Sequence, residues 1–357
     1  MSVIEGGGGN FLIVGCGAVG GVVAGHLIDQ GANVTVTTTN DAVAKVVAEK
    51  GLAVQTPERS FRVATPLPSA PDAQDRFRYI LLATQGSRAE EAARVALPAL
   101  ADNGFMVVLQ NGLCEERVAK IIGEDRVVGA VVGWGATRSD EGVFTKLGPG
   151  GFTVGTLKGG DPGDSLSDLT ERLSSVGRVK TTANLRGARW SKLAVNCAVS
   201  GLGTVLGDRM GILLRHRFCR RLALEVMTET VTVALAEGVR LEPIAGTVDP
   251  AWVALTEGER RAPVHPRLIA KHMLLVAIGT KFRKMRSSML RAIESGRSPG
   301  VDLLNGEVVT RGRLHGIPTP YNAAIQRMVE AQSRGDMPHG LASLKAIRTD
   351  TAHAARL

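Results

Sequence analysis

The run Phe11-Leu12-Ile13-Val14-Gly15-Cys16-Gly17-Ala18-Val19-Gly20 constrains this chain more than any other segment. An apolar strand feeds directly into G-x-G-x-x-G, and a helical pattern over Val19 to Gln30 follows. Each glycine has its own physical task. Gly15 permits the tight strand-to-helix turn. Gly17 lets backbone approach a pyrophosphate, and Gly20 lets the helix pack close to the strand. The helix N-terminus then turns its unpaired N–H groups towards the phosphates. A bare G-x-G-x-x-G carries little weight in a chain with 43 glycines. Here the context is right on both sides, because a second strand, Asn33 to Thr37, follows the helix. The reading is a dinucleotide-binding strand–helix–strand unit rather than a chance glycine-rich turn. Its expected cofactor contacts are Gly15, Cys16, Gly17, Ala18, Val19 and Gly20.

Strands and helices go on alternating through the first half. Strand candidates are Tyr79 to Thr84, Met106 to Leu109, Val127 to Val132 and Phe152 to Val154. Helical patterns lie at Asp41 to Lys50, Arg88 to Ala101, Glu115 to Ile121 and Leu166 to Ser175. Short apolar strands separated by helices imply a parallel, doubly wound sheet. From about Asn184 the character changes to helical periodicities at Gly187 to Val199, Arg215 to Glu237, His265 to Gly279, Asn305 to His315 and Pro320 to Arg334. The expected class is α/β, with an N-terminal Rossmann doubly wound parallel sheet over 1–183 and an all-α C-terminal domain over 184–357. The basic tail from Gly335 to Leu357 receives no role from the sequence.

A length of 357 residues suits two domains. No apolar stretch approaches a membrane span, so no membrane partner is expected. Met1 to Asn10 lacks a basic n-region and an apolar h-region, and reads as a flexible lead-in rather than a signal peptide. Cys16, Cys114, Cys197 and Cys219 are scattered, without ligand spacing. That points to a reduced cytoplasmic protein without a structural metal. The net charge is +9, with basic clusters at Arg215 to Arg221 and Lys281 to Arg291. Aromatic content is only 4%, one aromatic per cluster, which is too thin for a nucleic-acid stacking platform. The charge reads instead as a solvated face that attracts a small anionic substrate.

Ligands of open α/β sheets bind beyond the carboxyl ends of the strands. Two segments leave strands there, Thr84-Gln85-Gly86-Ser87 and Gln110-Asn111-Gly112. Asn111 offers an amide to cofactor or substrate, and turn chemistry explains the Asn-Gly pair equally well. On the helix from Arg189 to Ser200, Lys192, Asn196 and Ser200 recur at i, i+4 and i+8 as a polar stripe. A lysine among apolar residues at a domain junction suits a general acid, and a snorkelling surface lysine is the alternative. Arg286-Ser287-Ser288-Met289-Leu290 sets hydroxyl donors beside basic residues, which suits a carboxylate or, equally, a helix N-cap.

Taken together, these segments resemble the ketopantoate reductase (2-dehydropantoate 2-reductase) family. The matching pieces are Val14 to Gly20, Gln110-Asn111-Gly112, Trp190 to Cys197, Ser287 to Leu290, Val301 to Gly306 and His315 to Pro320, in the family's order over roughly residues 10 to 333. The resemblance implies a Rossmann domain, a helical domain and an active site in the cleft between them. It implies NADPH as reductant of a 2-oxo acid. Lys192 would be the general acid and Asn111 a contact to cofactor and substrate. Asn196 would hold the substrate and Ser288 its carboxylate, with Ser200 and Asn305 completing the expected substrate-binding set. The resemblance also makes a homodimer an expectation.

Four positions depart from the family. Gly300 stands where an acidic residue usually engages the substrate hydroxyl. Gln85 stands where a lysine is usual, and Ser200 where a second asparagine is usual. Thr39, in Thr37-Thr38-Thr39-Asn40, stands where an arginine usually grips the NADP 2′-phosphate. No acidic residue ends the second strand, which argues against the usual NAD ribose contact. The hydroxyls of Thr38 and Thr39, with Lys45 nearby, can receive a phosphate. The expected cofactor is therefore NADP(H) in preference to NAD(H), with Thr38, Thr39, Gln85 and Asn111 among its contacts. The expected activity is reduction of a small 2-oxo acid, or a related carbonyl or imine carrying a carboxylate. Two alternatives stay open: authentic 2-dehydropantoate 2-reductase, and an NADP-binding sensor or scaffold without turnover.

Overall fold

A computed structural model describes residues 10–160, 163–244, 246–261 and 265–354. The expected lead-in lies outside them apart from Asn10. The chain divides into two compact units between Leu185 and Arg186.

The first unit opens with β1 (Phe11–Val14), α1 (Ala18–Asp29), β2 (Val34–Thr37) and α2 (Asp41–Lys50). It continues through β3 (Leu52–Gln55), β4 (Ser60–Val63), β5 (Phe77–Leu82), α3 (Ala89–Ala96), β6 (Leu100–Val108), α4 (Cys114–Ile122) and β7 (Val127–Val132). It closes with β8 (Gly135–Arg138), β9 (Val143–Leu147), β10 (Phe152–Thr156), α5 (Ser167–Ser174) and β11 (Val179–Thr181). The main sheet runs β11-β10-β7-β6-β5-β1-β2. From β7 to β2 every pairing is parallel. Phe11, Leu12 and Ile13 are buried on both faces, as a central parallel strand requires. Phe11 stacks on Tyr79 of β5 at 5.2 Å between ring centroids.

Two features correct the expected all-parallel sheet and helix bounds. β10 joins β7 antiparallel, because β8 and β9, not a crossover helix, connect them. The helix expected to reach Ala101 ends at Ala96. Pro98 enters a 3₁₀ turn over Leu97–Ala99, and β6 begins at Leu100.

A second, four-stranded sheet, β4-β3-β9-β8, covers α1. The helix meets it through glycines. A Cβ on Gly21 would lie 2.1 Å from the Phe144 ring, and one on Gly25 would lie 2.3 Å from Val54 Cγ2. The glycine-rich face of α1 thus serves packing as well as the turn before it.

The second unit begins within α6 (Leu185–Asn196), which passes through a π-helical turn at Cys197–Gly201 into α7 (Leu202–Leu206). There follow α8 (Met210–Arg215), α9 (Arg217–Ala236), α10 (Pro250–Val253), α11 (Glu257–Arg261) and α12 (Pro266–Lys281). The unit ends with α13 (Ser288–Glu294), α14 (Asn305–Leu314), α15 (Pro320–Ser333) and α16 (Leu341–Ala354). Among its described residues the only β pairing is an isolated bridge between Ile244 and Val248. The basic tail therefore forms a helix, and it buries Leu344 and Ile347. Among the described residues no helix is long and apolar enough to cross a membrane.

Candidate active site

In the first unit, four parallel strands end in one row. Val14 pairs in register with Thr37 on one side and Leu82 on the other, and Leu82 pairs with Val108. The loops leaving that row carry every cofactor residue expected from the sequence. The strand order reverses between β1 and β5, and a crevice at such a switch point is where open α/β sheets take ligands.

Gly15 has φ +105°, and a Cβ there would meet Thr84 N at 3.0 Å. A Cβ on Gly20 would lie 2.1 Å from Gly15 O. The fold itself therefore demands both glycines. Gly17 differs: a Cβ there would meet only Ala83 O, at 3.8 Å. Among the described residues no atom requires glycine at 17, and the space in front of it suits a ligand. Gly17 is also the N-cap of α1 and supplies no side-chain cap, so the first N–H groups remain available to an anion. These residues fit a dinucleotide pyrophosphate. The Cys16 thiol is 3% exposed, and burial pushes its pKa up to about 12 against the pull of Arg138. Ala18 and Val19 are half-buried in the first turn.

After β2, Thr38 is half-buried and Thr39 exposed. Thr38 Oγ1 accepts from Asn40 N at 3.2 Å, and Asn40 caps α2 through Val43 N at 3.1 Å. Lys45 is exposed on α2. After β5, Gln85 is exposed, while the Thr84 hydroxyl accepts from Gln110 Nε2 at 3.2 Å and ties two loops together. Asn111 is exposed at the same edge, and Gly112 takes φ +88°. The turn therefore explains Gly112 but leaves the Asn111 side chain at the ligand edge.

In the second unit, Lys192, Val195, Asn196, Val199 and Ser200 are half-buried, whereas Leu193, Ala194, Cys197, Ala198 and Gly201 are buried. The polar stripe thus occupies one accessible face. The π-turn lies inside it, a feature that recurs at functional sites. Ser287 and Thr204 link this stripe to Ser288. Ser287 Oγ donates to Ser200 O at 2.9 Å and lies 2.7 Å from Thr204 Oγ1. Thr204 Oγ1 also reaches Ser200 O at 2.8 Å. Ser287 caps α13 by accepting from Met289 N and Leu290 N, so the next residue, exposed Ser288, is fixed relative to Ser200.

Asn305 is placed differently from the other expected substrate contacts. It is fully buried, and its Nδ2 donates to Cys197 O at 3.3 Å and to Asn322 Oδ1 at 2.9 Å. Asn322 Nδ2 donates in turn to Glu229 Oε2 at 2.7 Å. Burial pushes the Glu229 carboxyl up to about 7, against the three N–H donors of Tyr321 and Asn322 that favour its ionised form. Ser287, Thr204, Glu229 and Asn322 were not singled out from the sequence as site residues. Only the Ser287-Ser288 pair carried a signal, as hydroxyl donors to a carboxylate or as an N-cap.

At Gly300 the backbone is left-handed, with φ +67°, and a Cβ would meet none of the described residues within 4 Å.

The family model described as ketopantoate reductase PanE/ApbA matches residues 11–159, and its C-terminal counterpart matches residues 184–333. The chain belongs to the ketopantoate reductase family. It is 30% identical over 229 residues to a 2-dehydropantoate 2-reductase of Pyrobaculum aerophilum, spanning 64% of this chain and 70% of that one. Against a 2-dehydropantoate 2-reductase of Pyrococcus horikoshii it is 24% identical over 326 residues, 90% of this chain and 96% of that one. A PanE/ApbA family ketopantoate reductase from Ralstonia eutropha superposes with a TM-score of 0.75 at 25% identity, covering 92% and 99% of the two chains. D-mandelate dehydrogenase with NADH and anilino(oxo)acetate has the same fold, with a TM-score of 0.77 at 20% identity over 91% and 98%. The protein is a ketopantoate reductase-like oxidoreductase with a Rossmann fold. Helix α16 lies beyond the matched residues. It is joined to the body by Gly340 N donating to Val205 O at 3.0 Å and by His339 Nδ1, 2.8 Å from Thr204 O.

Proposed function

We propose that this protein reduces a small 2-oxo acid, or a related carbonyl or imine carrying a carboxylate, with NADP(H) as the preferred cofactor. The observation that carries the reading is the single accessible face of Lys192, Asn196 and Ser200, with Ser288 tied to it through Ser287. When bound, the nicotinamide supplies hydride. Gly15 to Gly20 receive the pyrophosphate, Thr38, Thr39 and Lys45 the 2′-phosphate, and Gln85 and Asn111 line the same cofactor edge. Lys192 holds a proton at Nζ for the substrate oxygen. Asn196, Ser200 and Ser288 donate hydrogen bonds to the substrate, Ser288 to its carboxylate. Asn305, being buried, acts behind this face.

The relatives' activity as 2-dehydropantoate 2-reductases supports the class, as does the oxo-acid-type ligand in the D-mandelate dehydrogenase complex. The departures at Gly300, Gln85 and Ser200 leave the substrate's identity to experiment. The homodimer implied by the family and the cytoplasmic location read from the cysteines belong to the same proposal. All four cysteines are buried. The test is steady-state reduction of ketopantoate and other 2-oxo acids, with and without an amine, using NADPH and NADH. Oxo-acid-dependent oxidation with NADPH favoured supports the reading. Cofactor binding without turnover on any member supports a sensor or scaffold instead.

A further inference from the structure

We infer that the buried chain Glu229–Asn322–Asn305 is a positioning device that holds the π-turn of the Lys192 helix in place. The inference rests on the reading of that helix as the substrate face.

Its polarity is fixed from one end. The Glu229 carboxylate accepts from Tyr321 N at 2.8 Å and Asn322 N at 2.9 Å, the first N–H groups of α15. Thr319 at that N-cap offers no side-chain cap, so Glu229 caps the helix from α9. Glu229 and the carbonyl of Val226 both demand donors, which turns the Asn322 amide nitrogen towards them, at 2.7 and 3.3 Å. The Asn322 carbonyl must then face Asn305, which turns the Asn305 nitrogen to Asn322 and Cys197. Neither amide can flip without setting acceptor against acceptor. Asn305 and Asn322 are both fully buried, and Glu229 is 5% exposed.

The receiving end is Cys197 O, the first residue of the π-turn. Gly201 ends that turn, and its missing side chain lets Asn305 approach. A Cβ there would lie 2.8 Å from Ile325 Cγ2 and 3.1 Å from Asn305 Oδ1. Among the described residues the buried Asn305 Oδ1 has no hydrogen-bond partner. Leaving it so costs free energy, and no local requirement of α14 calls for an amide there. The position is explained by the two bonds its nitrogen makes. Asn196 precedes the turn and Ser200 lies within it, so its geometry sets how both are presented.

The test compares wild type, Asn305→Leu and Gly201→Ala by amide hydrogen exchange and steady-state kinetics. Asn305→Leu keeps the branching and the number of heavy atoms and removes the donor, while Gly201→Ala keeps the donor and sets a methyl against Ile325 and the Asn305 amide. Both variants are expected to speed exchange in peptides covering 197–204 by about tenfold or more, with exchange in the first unit unchanged. On the best oxo acid, kcat is expected to fall about tenfold, and the cofactor Kd to hold within about twofold. Unchanged exchange over 197–204 in both variants overturns the inference. So does exchange that rises evenly through all helices. The exchange result needs no turnover, so a wild-type protein that reduces no oxo acid refutes the reductase reading while the brace is still decided.

Discussion

Ser287 donates its hydroxyl to the carbonyl of Ser200 at 2.9 Å, across 87 residues of sequence. The same oxygen caps α13 through Met289 N and Leu290 N. One buried serine therefore sets the start of the Ser288 helix and the π-turn in a common frame. Ser287→Ala is expected to destabilise the fold by about 1–2 kcal/mol, through loss of the cap and of one of the two hydroxyl donors to Ser200 O, Thr204 Oγ1 being the other. It is also expected to raise the substrate KM while cofactor affinity holds. Ser288→Ala, at an exposed position, is expected to raise KM with no loss of melting temperature. Equal effects of the two variants on stability would contradict the separation of roles.

Gly17 and Gly20 make opposite demands. Gly20→Ala drives a methyl to 2.1 Å from Gly15 O, and is expected to cost about 1–3 kcal/mol of stability as well as cofactor binding. Gly17→Ala finds its nearest atom at 3.8 Å. It is expected to leave thermal unfolding nearly unchanged and to weaken NADPH binding. Paired calorimetry and fluorescence titration of NADPH distinguish the two.

Lys271 and Glu259 form an ion pair at 2.6 Å in which both side chains are almost fully buried. Lys271 also donates to Ala254 O at 2.8 Å. Lys271→Met is expected to cost about 3–5 kcal/mol, because it strands a buried carboxylate. Adding Glu259→Leu is expected to recover most of that loss. Burial pushes the Glu259 carboxyl up, but Lys271 and Thr256 outweigh it and hold it below its ordinary value. Stability from this pair is thus present above the ordinary carboxylate pKa and is lost as pH falls through the depressed one. Urea titrations of the single and double variants check both points.

His272 gives a second acid-sensitive element. Burial, and then Arg220, Arg217 and Arg221, push its pKa from 6.5 to about 4. Below pH 6.5 the unfolded chain takes up a proton that the folded chain refuses until about pH 4. Stability is therefore lost as pH falls across that window. His272→Gln is expected to flatten the decline, read as melting temperature against pH.

The first unit was legible where its grammar is local. Phe11 to Gly20 reads as strand, turn and helix because each residue type answers a neighbour, and Gly15 and Gly20 lie against each other as that grammar implies. The second sheet was not legible. β3 and β9 are short strands whose parallel pairing, Val54 with Phe144, is set by distant sequence and by the glycine face of α1. The π-turn was hidden because the i, i+4 spacing of Lys192, Asn196 and Ser200 is the same with or without it. Asn305 has the chemistry of a ligand contact, and only its burial beside Cys197 and Asn322 shows that its amide is already engaged. The tail received no role from its sequence, and its helix is anchored by buried Leu344 and Ile347.

The proposed reaction is reduction of an oxo acid at this face with a proton from Lys192. The most direct measurement is NADPH oxidation across a panel of 2-oxo acids that includes ketopantoate, for wild type and Lys192→Ala. Turnover on at least one member is expected, with a fall in kcat of about 10²–10⁴-fold in the variant and NADPH affinity held within about twofold. Equal turnover in the two proteins, or no turnover in either while NADPH binds tightly, would contradict it.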